Sequence, residues 1–178
     1  PICGLAGSQS ADTAERCVRE GVRLLAGRGR LDGPGAVVAE LASGGTQRIE
    51  ADAILLATGA RPRTLDSALP DGQRILTWEQ VYELAEVPER LVVVGSGVTG
   101  AEFASAYNAL GSEVVLVSSR DRVLPGEDAD AAQVLEDVFK RRGMQVLGRS
   151  RAQAAARTAD GVVVTLADGS TVEGTHCL

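Results

Sequence analysis

The sequence predicts an α/β fold of parallel sheets and β-meanders, and three features carry that prediction. An apolar run at 91–94 leads into the glycine turn Gly95-Ser96-Gly97-Val98-Thr99-Gly100, and a helical stretch and a second apolar run, Glu113–Val117, follow. The run at 53–57 is apolar throughout instead of alternating, as in a strand buried on both faces. The two ends of the chain also resemble each other at a nearly constant spacing.

Taken in order, Ser10 caps a short helix over 9–20 with Ala14, Cys17 and Val18 on one face, and Gly21 ends it. Strands are expected at 22–26, at 37–41 and, after the Ser43-Gly44-Gly45 turn, at 47–50. The run at 53–57 is a further strand, stopped by Thr58-Gly59. Pro62, Pro70-Asp71-Gly72 and Pro88 then mark a linker. Within it Thr77-Trp78-Glu79-Gln80 reads as a capping box that starts a short helix reaching about residue 85. Trp78 at its first turn suits a packing anchor better than a ligand-stacking residue.

The 91–94 strand, the glycine turn, a helix over 98–110 closed by Gly111 and the strand Glu113–Val117 form a β-turn-α-β unit, the element of a Rossmann-like fold. A helix at about 128–142 presents Val134, Leu135, Val138 and Phe139 on one face and ends at Gly143. A strand at 146–147 follows; residues 161–166, the Asp168-Gly169 turn and residues 171–178 make a hairpin plus one more strand.

The internal resemblance runs through both halves. Gly21-Val22-Arg23-Leu24-Leu25 and Gly143-Met144-Gln145-Val146-Leu147 each follow a helix, at an offset of 143 − 21 = 122. Residues 50–55 mirror 173–178 at an offset of 178 − 55 = 123. The chain thus reads as the tail of one nucleotide-binding domain and most of a second copy, the alternative being a coincidence of short apolar patterns. On this reading the first copy's own glycine turn is expected before Pro1, and the second copy stops within a strand at Leu178.

Composition narrows the function. With 178 residues, 44% hydrophobic and 24% charged, the chain is ordinary for one or two soluble globular units. A net charge of −6 argues against a nucleic-acid surface. No apolar run approaches a membrane span and no signal-peptide pattern is seen, so a cytoplasmic protein is expected. Cys3, Cys17 and Cys177 have no paired spacing and His176 is the single histidine, so no metal site is expected. Cys177 falls in an apolar strand and is expected to be buried.

The glycine turn carries the chemistry. Gly95 permits the tight turn, Gly97 lets the backbone approach a pyrophosphate, and Gly100 lets the helix pack closely on the strand. The helix N-terminus adds free amides and the positive end of its dipole. An NAD site usually places Asp or Glu about 20 residues further on, to hold the ribose 2′-hydroxyl. Here that place is Ser118, followed by Ser119, Arg120, Asp121 and Arg122. Hydroxyls and guanidinium groups can hold a 2′-phosphate, which favours NADP(H) over NAD(H), although Asp121 softens the case and the arginines can equally be solvated loop charges.

Ala57-Thr58-Gly59-Ala60-Arg61-Pro62 closing an apolar strand, then a linker and a second GxGxxG, resembles the pyridine nucleotide–disulfide oxidoreductase family, over about residues 10–178. The run Val87-Pro88-Glu89-Arg90-Leu91 into the glycine turn is similar to dihydrolipoamide dehydrogenases. The turn with Ala101-Glu102-Phe103, together with Ile75-Leu76-Thr77-Trp78, is similar to the bacterial quinone-reductase branch. The resemblance implies a two-dinucleotide-binding-domain flavoprotein. Residues 1–62 would be the C-terminal part of an FAD-binding domain, 63–88 a linker, and 89–178 an NAD(P)-binding Rossmann domain truncated at its C-terminus.

It further implies that Thr58 and Gly59 close over FAD and that Gly29 lies beside the adenine. Gly95, Ser96, Gly97, Val98, Thr99 and Gly100 would form the nicotinamide-dinucleotide phosphate loop. Ser118 stands where NAD-specific members have Glu, Ser119 and Arg120 where NADP-specific members carry cations, and Ala152 on the adenine pocket. Glu102 matches a glutamate that pairs with a flavin-side lysine absent from this chain; on physical grounds alone it is a carboxylate favoured near a helix N-terminus. Val98 stands where some relatives have a tyrosine shielding the flavin.

The implied enzyme passes hydride from NAD(P)H to FAD and on to a quinone or a disulfide, as a homodimer. The family's CxxxxC and its His/Glu acid–base pair have no counterpart here, so no catalytic residue is expected in this segment and no turnover from it alone. A single-cofactor NAD(P)-dependent dehydrogenase and a non-catalytic redox-sensing module remain as alternatives, the first opposed by the ATGARP segment and the duplication.

Overall fold

The computed structural model describes residues 2–178, which divide into two compact units, Pro1–Arg61 and Pro62–Leu178.

The first unit begins with helix α1 (Ile2–Arg19). It runs straight through Ser10, so the expected cap there is not made. The Ser8 and Thr13 hydroxyls instead donate one turn back, to the carbonyls of Gly4 and Gln9. The end is as expected. Gly21 adopts φ +80°, its N–H donates to the Val18 carbonyl, and the Val22 N–H donates to the Cys17 carbonyl, a Schellman pair.

Strands β1 (Gly27–Leu31), β2 (Ala36–Leu41) and β3 (Thr46–Glu50) form an antiparallel meander in that order. Two expected strands are absent: residues 22–26 and 53–57 are irregular, with Leu55 90% exposed. Both are apolar segments suited to a parallel sheet, whose backbone groups need neighbouring strands on each side. The only sheet among the described residues of this unit is the meander, whose strands pair only with one another. Ala36 and Ala39 are the only buried apolar side chains in this unit among the described residues.

The second unit supplies those neighbours. Strands β4 (Arg90–Val94), β5 (Glu113–Val117), β6 (Gln145–Leu147) and β10 (His176–Cys177) make a parallel sheet in the order β10-β4-β5-β6. Strands β7 (Ala152–Arg157), β8 (Val162–Leu166) and β9 (Thr171–Gly174) make a second antiparallel meander. β7, with its run of alanines, was not foreseen. Alternation along the parallel strands sorts their side chains into two cores. Val92, Val115, Val117 and Cys177 pack with Val162, Val164, Leu166 and Val172 of the meander. Leu91, Val93, Val114 and Leu116 pack with Ala101 and Ala104 of helix α2 (Val98–Ala109) and Phe139 of helix α3 (Ala129–Arg141). A sheet covered on both faces accounts for strands that are apolar without alternation. Burial pushes the Cys177 thiol up to about 12, so it behaves as a small apolar side chain.

Both helices end in the same Schellman pair, at Gly111 (φ +102°) and Gly143 (φ +86°). The apolar face of α3 differs from expectation. Ala132, Glu136 and Phe139 are buried, Leu135 is half-buried and Val134 is 63% exposed. The contact stripe runs 132, 135, 136, 139, which leaves Val134 facing away and brings an acid inward.

The residues read as a linker belong to this unit. Ile75 bridges to Cys177 in parallel, the Leu76 N–H donates to the Cys177 carbonyl at 2.8 Å, and Ser67 Oγ donates to the Gln153 carbonyl at 2.7 Å. The capping box is half made: Gln80 Oε1 accepts the Thr77 N–H at 2.9 Å, but only a short 3-10 turn, Gln80–Glu83, follows. Trp78 is 39% exposed and is not the anchor of this turn. Val81 is, buried with Leu76 and Phe103, its carbonyl accepting the Tyr107 hydroxyl at 3.0 Å.

Asp71 organises the approach to the sheet. Its Oδ1 accepts the N–H groups of Gln73, Arg74 and Ile75 at 2.8–2.9 Å. Burial alone would raise its pKa, but these three donors and the Arg157 guanidinium at 3.5 Å outweigh it and hold the carboxyl at about 2. A depressed carboxyl stabilises the fold above its unfolded value and stops doing so as pH falls through the folded one. Asp71→Ala is therefore expected to lose about 1–2 kcal/mol near neutrality. Urea melts should show the difference from the unaltered chain shrinking as pH drops from about 4 toward 2.

Candidate functional site

The best-formed candidate site lies where β4 meets α2. Gly95, at φ +116°, turns the chain out of the strand, and its N–H donates to the Val117 carbonyl at 2.9 Å. A Cβ on Gly100 would sit 1.9 Å from the Gly95 carbonyl oxygen, so only glycine lets α2 pack this closely on β4. A Cβ on Gly95 or Gly97 would meet no atom within 4 Å. Gly97 is the N-cap of α2 and has no side chain to accept the amides of the first turn. Open space before uncapped amides at the positive end of a 12-residue helix suits a phosphate group.

Val98 and Thr99 are exposed on the first turn and Glu102 is exposed one turn further. Ser96 is different: it is 5% exposed, its Oγ lies 2.6 Å from Ser118 Oγ, and its carbonyl accepts the Leu124 N–H at 2.8 Å. Ser118, at the end of β5, is fully buried. Its hydroxyl accepts the Arg120 N–H at 3.1 Å and lies 3.3 Å from the Arg122 carbonyl. The hydroxyl expected to face a ribose thus faces inward, while Ser119 and Arg120 are exposed and Arg122 is half-buried.

Two further groups fasten the loop at 118–124. Glu136 Oε2 accepts the Val123 N–H at 3.2 Å while its Oε1 accepts Lys140 Nζ at 2.6 Å. From the β6–β7 turn, the Arg149 and Ser150 N–H groups donate to the carbonyls of Arg120 and Ser118 at 2.6 and 2.7 Å. Neither Glu136 nor this turn was foreseen; the signal available was an acid at the centre of α3's apolar stripe.

The remaining expected residues are not gathered at this turn. Ala152 opens β7 and packs half-buried against the core between sheet and meander. In the first unit Gly29 pairs with Ala39 within exposed β1, and Thr58 and Gly59 lie in an exposed irregular segment. Among the described residues no His, Cys, Asp and Glu side chains cluster as a metal site, and no helix is long and apolar enough to cross a membrane.

Residues 5–178 match the family described as pyridine nucleotide-disulphide oxidoreductase. An NAD(P)H dehydrogenase (quinone) of Mycobacterium tuberculosis is 53% identical across 98% of this chain and 36% of its own length. Dihydrolipoyl dehydrogenase 3 of Pseudomonas putida is 38% identical across 85% of this chain and 33% of its own length. The crystal structure of LpdA from Mycobacterium tuberculosis matches with a TM-score of 0.86 at 52% identity, covering 98% of this chain and 39% of that one. The chain thus spans about a third of the length of the relatives it matches.

The second and third glycines of the turn make opposite demands. Gly100→Ala is expected to destabilise the chain by about 2–3 kcal/mol in urea melts, because the new methyl would run into the Gly95 carbonyl. Gly97→Ala, at φ −70° with open space ahead, should melt within about 0.5 kcal/mol of the unaltered chain.

Proposed function

The chain belongs to the pyridine nucleotide-disulphide oxidoreductase family, and from that premise we propose that it is part of an FAD-dependent NAD(P)H oxidoreductase passing hydride from NAD(P)H to FAD and on to a quinone or a disulfide. The single observation that supports the nucleotide site is the glycine turn, open in front of Gly95 and Gly97 and backed by the uncapped first turn of α2. Gly97, Val98, Thr99 and Gly100 hold the pyrophosphate by backbone amides; Gly95, whose N–H is bonded to Val117, shapes the turn, and Ser96 lies beneath it. Bound there, the nicotinamide supplies the hydride; the protein supplies orientation and charge.

NADP(H) is the favoured form. No carboxylate stands at 118 to hold a 2′-hydroxyl, and the exposed Ser119 and Arg120 offer a hydroxyl and a guanidinium that match a 2′-phosphate. Gly29, Thr58 and Gly59 are proposed for the flavin side by family likeness alone, as are Ala152 for the adenine and Glu102 as a flavin-side carboxylate. Residues 1–62 are taken as part of the FAD-binding domain and 89–178 as part of the NAD(P)-binding domain. A quinone acceptor is preferred over a disulfide because the quinone dehydrogenase relative matches at higher identity than the dihydrolipoyl dehydrogenase. The whole protein is proposed to act as a homodimer in the cytoplasm.

Titrating the chain with NADPH and NADH tests the nucleotide reading. Arg120→Ala is expected to weaken NADPH binding about tenfold, the loss of one charge-assisted hydrogen bond, and to leave NADH nearly unaffected. Equal losses for both nucleotides would remove Arg120 from the 2′-phosphate site. For the oxidoreductase reading, the full-length protein should contain FAD and lose its flavin absorbance on adding NADPH; protein without flavin would overturn it.

A further inference from the structure

The contacts of Ser96 extend the nucleotide reading, on which this inference rests. We propose that Ser96 and Ser118 act as one positioning unit for nucleotide selectivity, so that discrimination at the ribose 2′ position is set by the pair and not by residue 118 alone. Ser118 stands at the place where a ribose-reading side chain is expected, yet it is fully buried and its hydroxyl is spent on Ser96, the Arg120 N–H and the Arg122 carbonyl. It cannot meet a ligand from that position. What it does is hold the backbone of the loop that carries Ser119, Arg120 and Arg122.

The proton count shows why the pair acts together. Two hydroxyls bring two protons, and two acceptors need them: the partner hydroxyl and the Arg122 carbonyl, which lies 3.4 Å from Ser96 Oγ and 3.3 Å from Ser118 Oγ. One serine donates to the other, which donates to Arg122. Deleting the Ser118 hydroxyl leaves the Arg120 N–H without its acceptor, and deleting either hydroxyl unties the turn from the loop. Ser96 adds a third hold through its carbonyl, which accepts the N–H of Leu124, a non-glycine residue at φ +49°. Such a backbone persists only where its surroundings fix it. From the other side the loop is held by Glu136 and by the β6–β7 turn, where Arg149 also sits at positive φ.

Ser96 is therefore the fastening that belongs to the phosphate turn. It lies between Gly95 and Gly97, one residue from the amides proposed to hold pyrophosphate, and it ties that turn to the arginine loop. A nucleotide touches both ends of this link, its pyrophosphate at one and its ribose substituent at the other. Loosening the link frees Arg120 and Arg122 to sample positions away from the 2′ group, at a cost to a 2′-phosphate that a 2′-hydroxyl does not share.

The test is the ratio of dissociation constants for NAD⁺ and NADP⁺, measured by titration on the full chain and on Ser96→Ala, Ser118→Ala and the double variant. Each single change is expected to move the ratio toward unity by about tenfold, and the double variant by the same amount and not a hundredfold, since one network is lost in every case. Equal weakening of both nucleotides with an unmoved ratio would make the pair merely structural and overturn the proposal. Independent, multiplying effects would overturn the single-unit claim. If the unaltered chain binds neither nucleotide, the nucleotide-site reading itself falls first. If it prefers NAD⁺, only the NADP(H) preference falls, and the ratio still decides the role of Ser96.

Discussion

A strand buried on both faces persists only where its two edges find backbone partners, because its N–H and C=O groups have no water to turn to. That requirement shapes both units of this chain. In the second unit β4 and β5 lie inside a parallel sheet with β10 and β6 on either side, and their central side chains are buried. The apolar segments at 22–26 and 53–57 of the first unit match β6 and β10 in pattern and spacing. They nevertheless stay irregular, since counterparts of β4 and β5 are not among that unit's described residues. An antiparallel meander needs no such help, as each strand pairs with the next, and both units contain one.

The repeated parts are those that local interactions can build. Each unit has a helix ended by a glycine in the same Schellman geometry, at Gly21 and Gly143, 143 − 21 = 122 residues apart. Each then has three antiparallel strands in sequential order. A coincidence of short apolar patterns would not reproduce both the helix end and the meander in the same order. The internal resemblance seen in the sequence is therefore a resemblance of folded elements.

The candidate site inherits its form from the same sheet. Closing β4 and β5 side by side brings the turn after one strand against the loop after the other, so that Ser96 and Ser118 meet although 22 residues separate them. Gly100 allows α2 to start directly over β4, and α3 brings Glu136 beneath the loop that carries the arginines. Positive charge is displayed on a loop whose backbone is fastened from three directions. Such fastening lets a loop discriminate, where a free one would only attract.

Much of this was legible in the sequence. The strand–turn–helix–strand at 91–117, the glycine that each helix ends on, the second turn of each meander and the burial of Cys177 follow from apolar pattern and from where glycine is required. Family likeness was legible too, in ATGARP and the glycine turn. What the tertiary structure decided is which groups turn inward. Residue type placed Ser118 at a ribose-reading position, but the hydroxyl turns toward Ser96 because a buried oxygen takes the nearest partner. Val134 was expected on the buried face and is exposed, while Glu136 turns inward and accepts the Val123 N–H. Periodicity records how often a side chain returns to one face; which face is buried, and which polar group is satisfied there, depends on neighbours brought together only by folding.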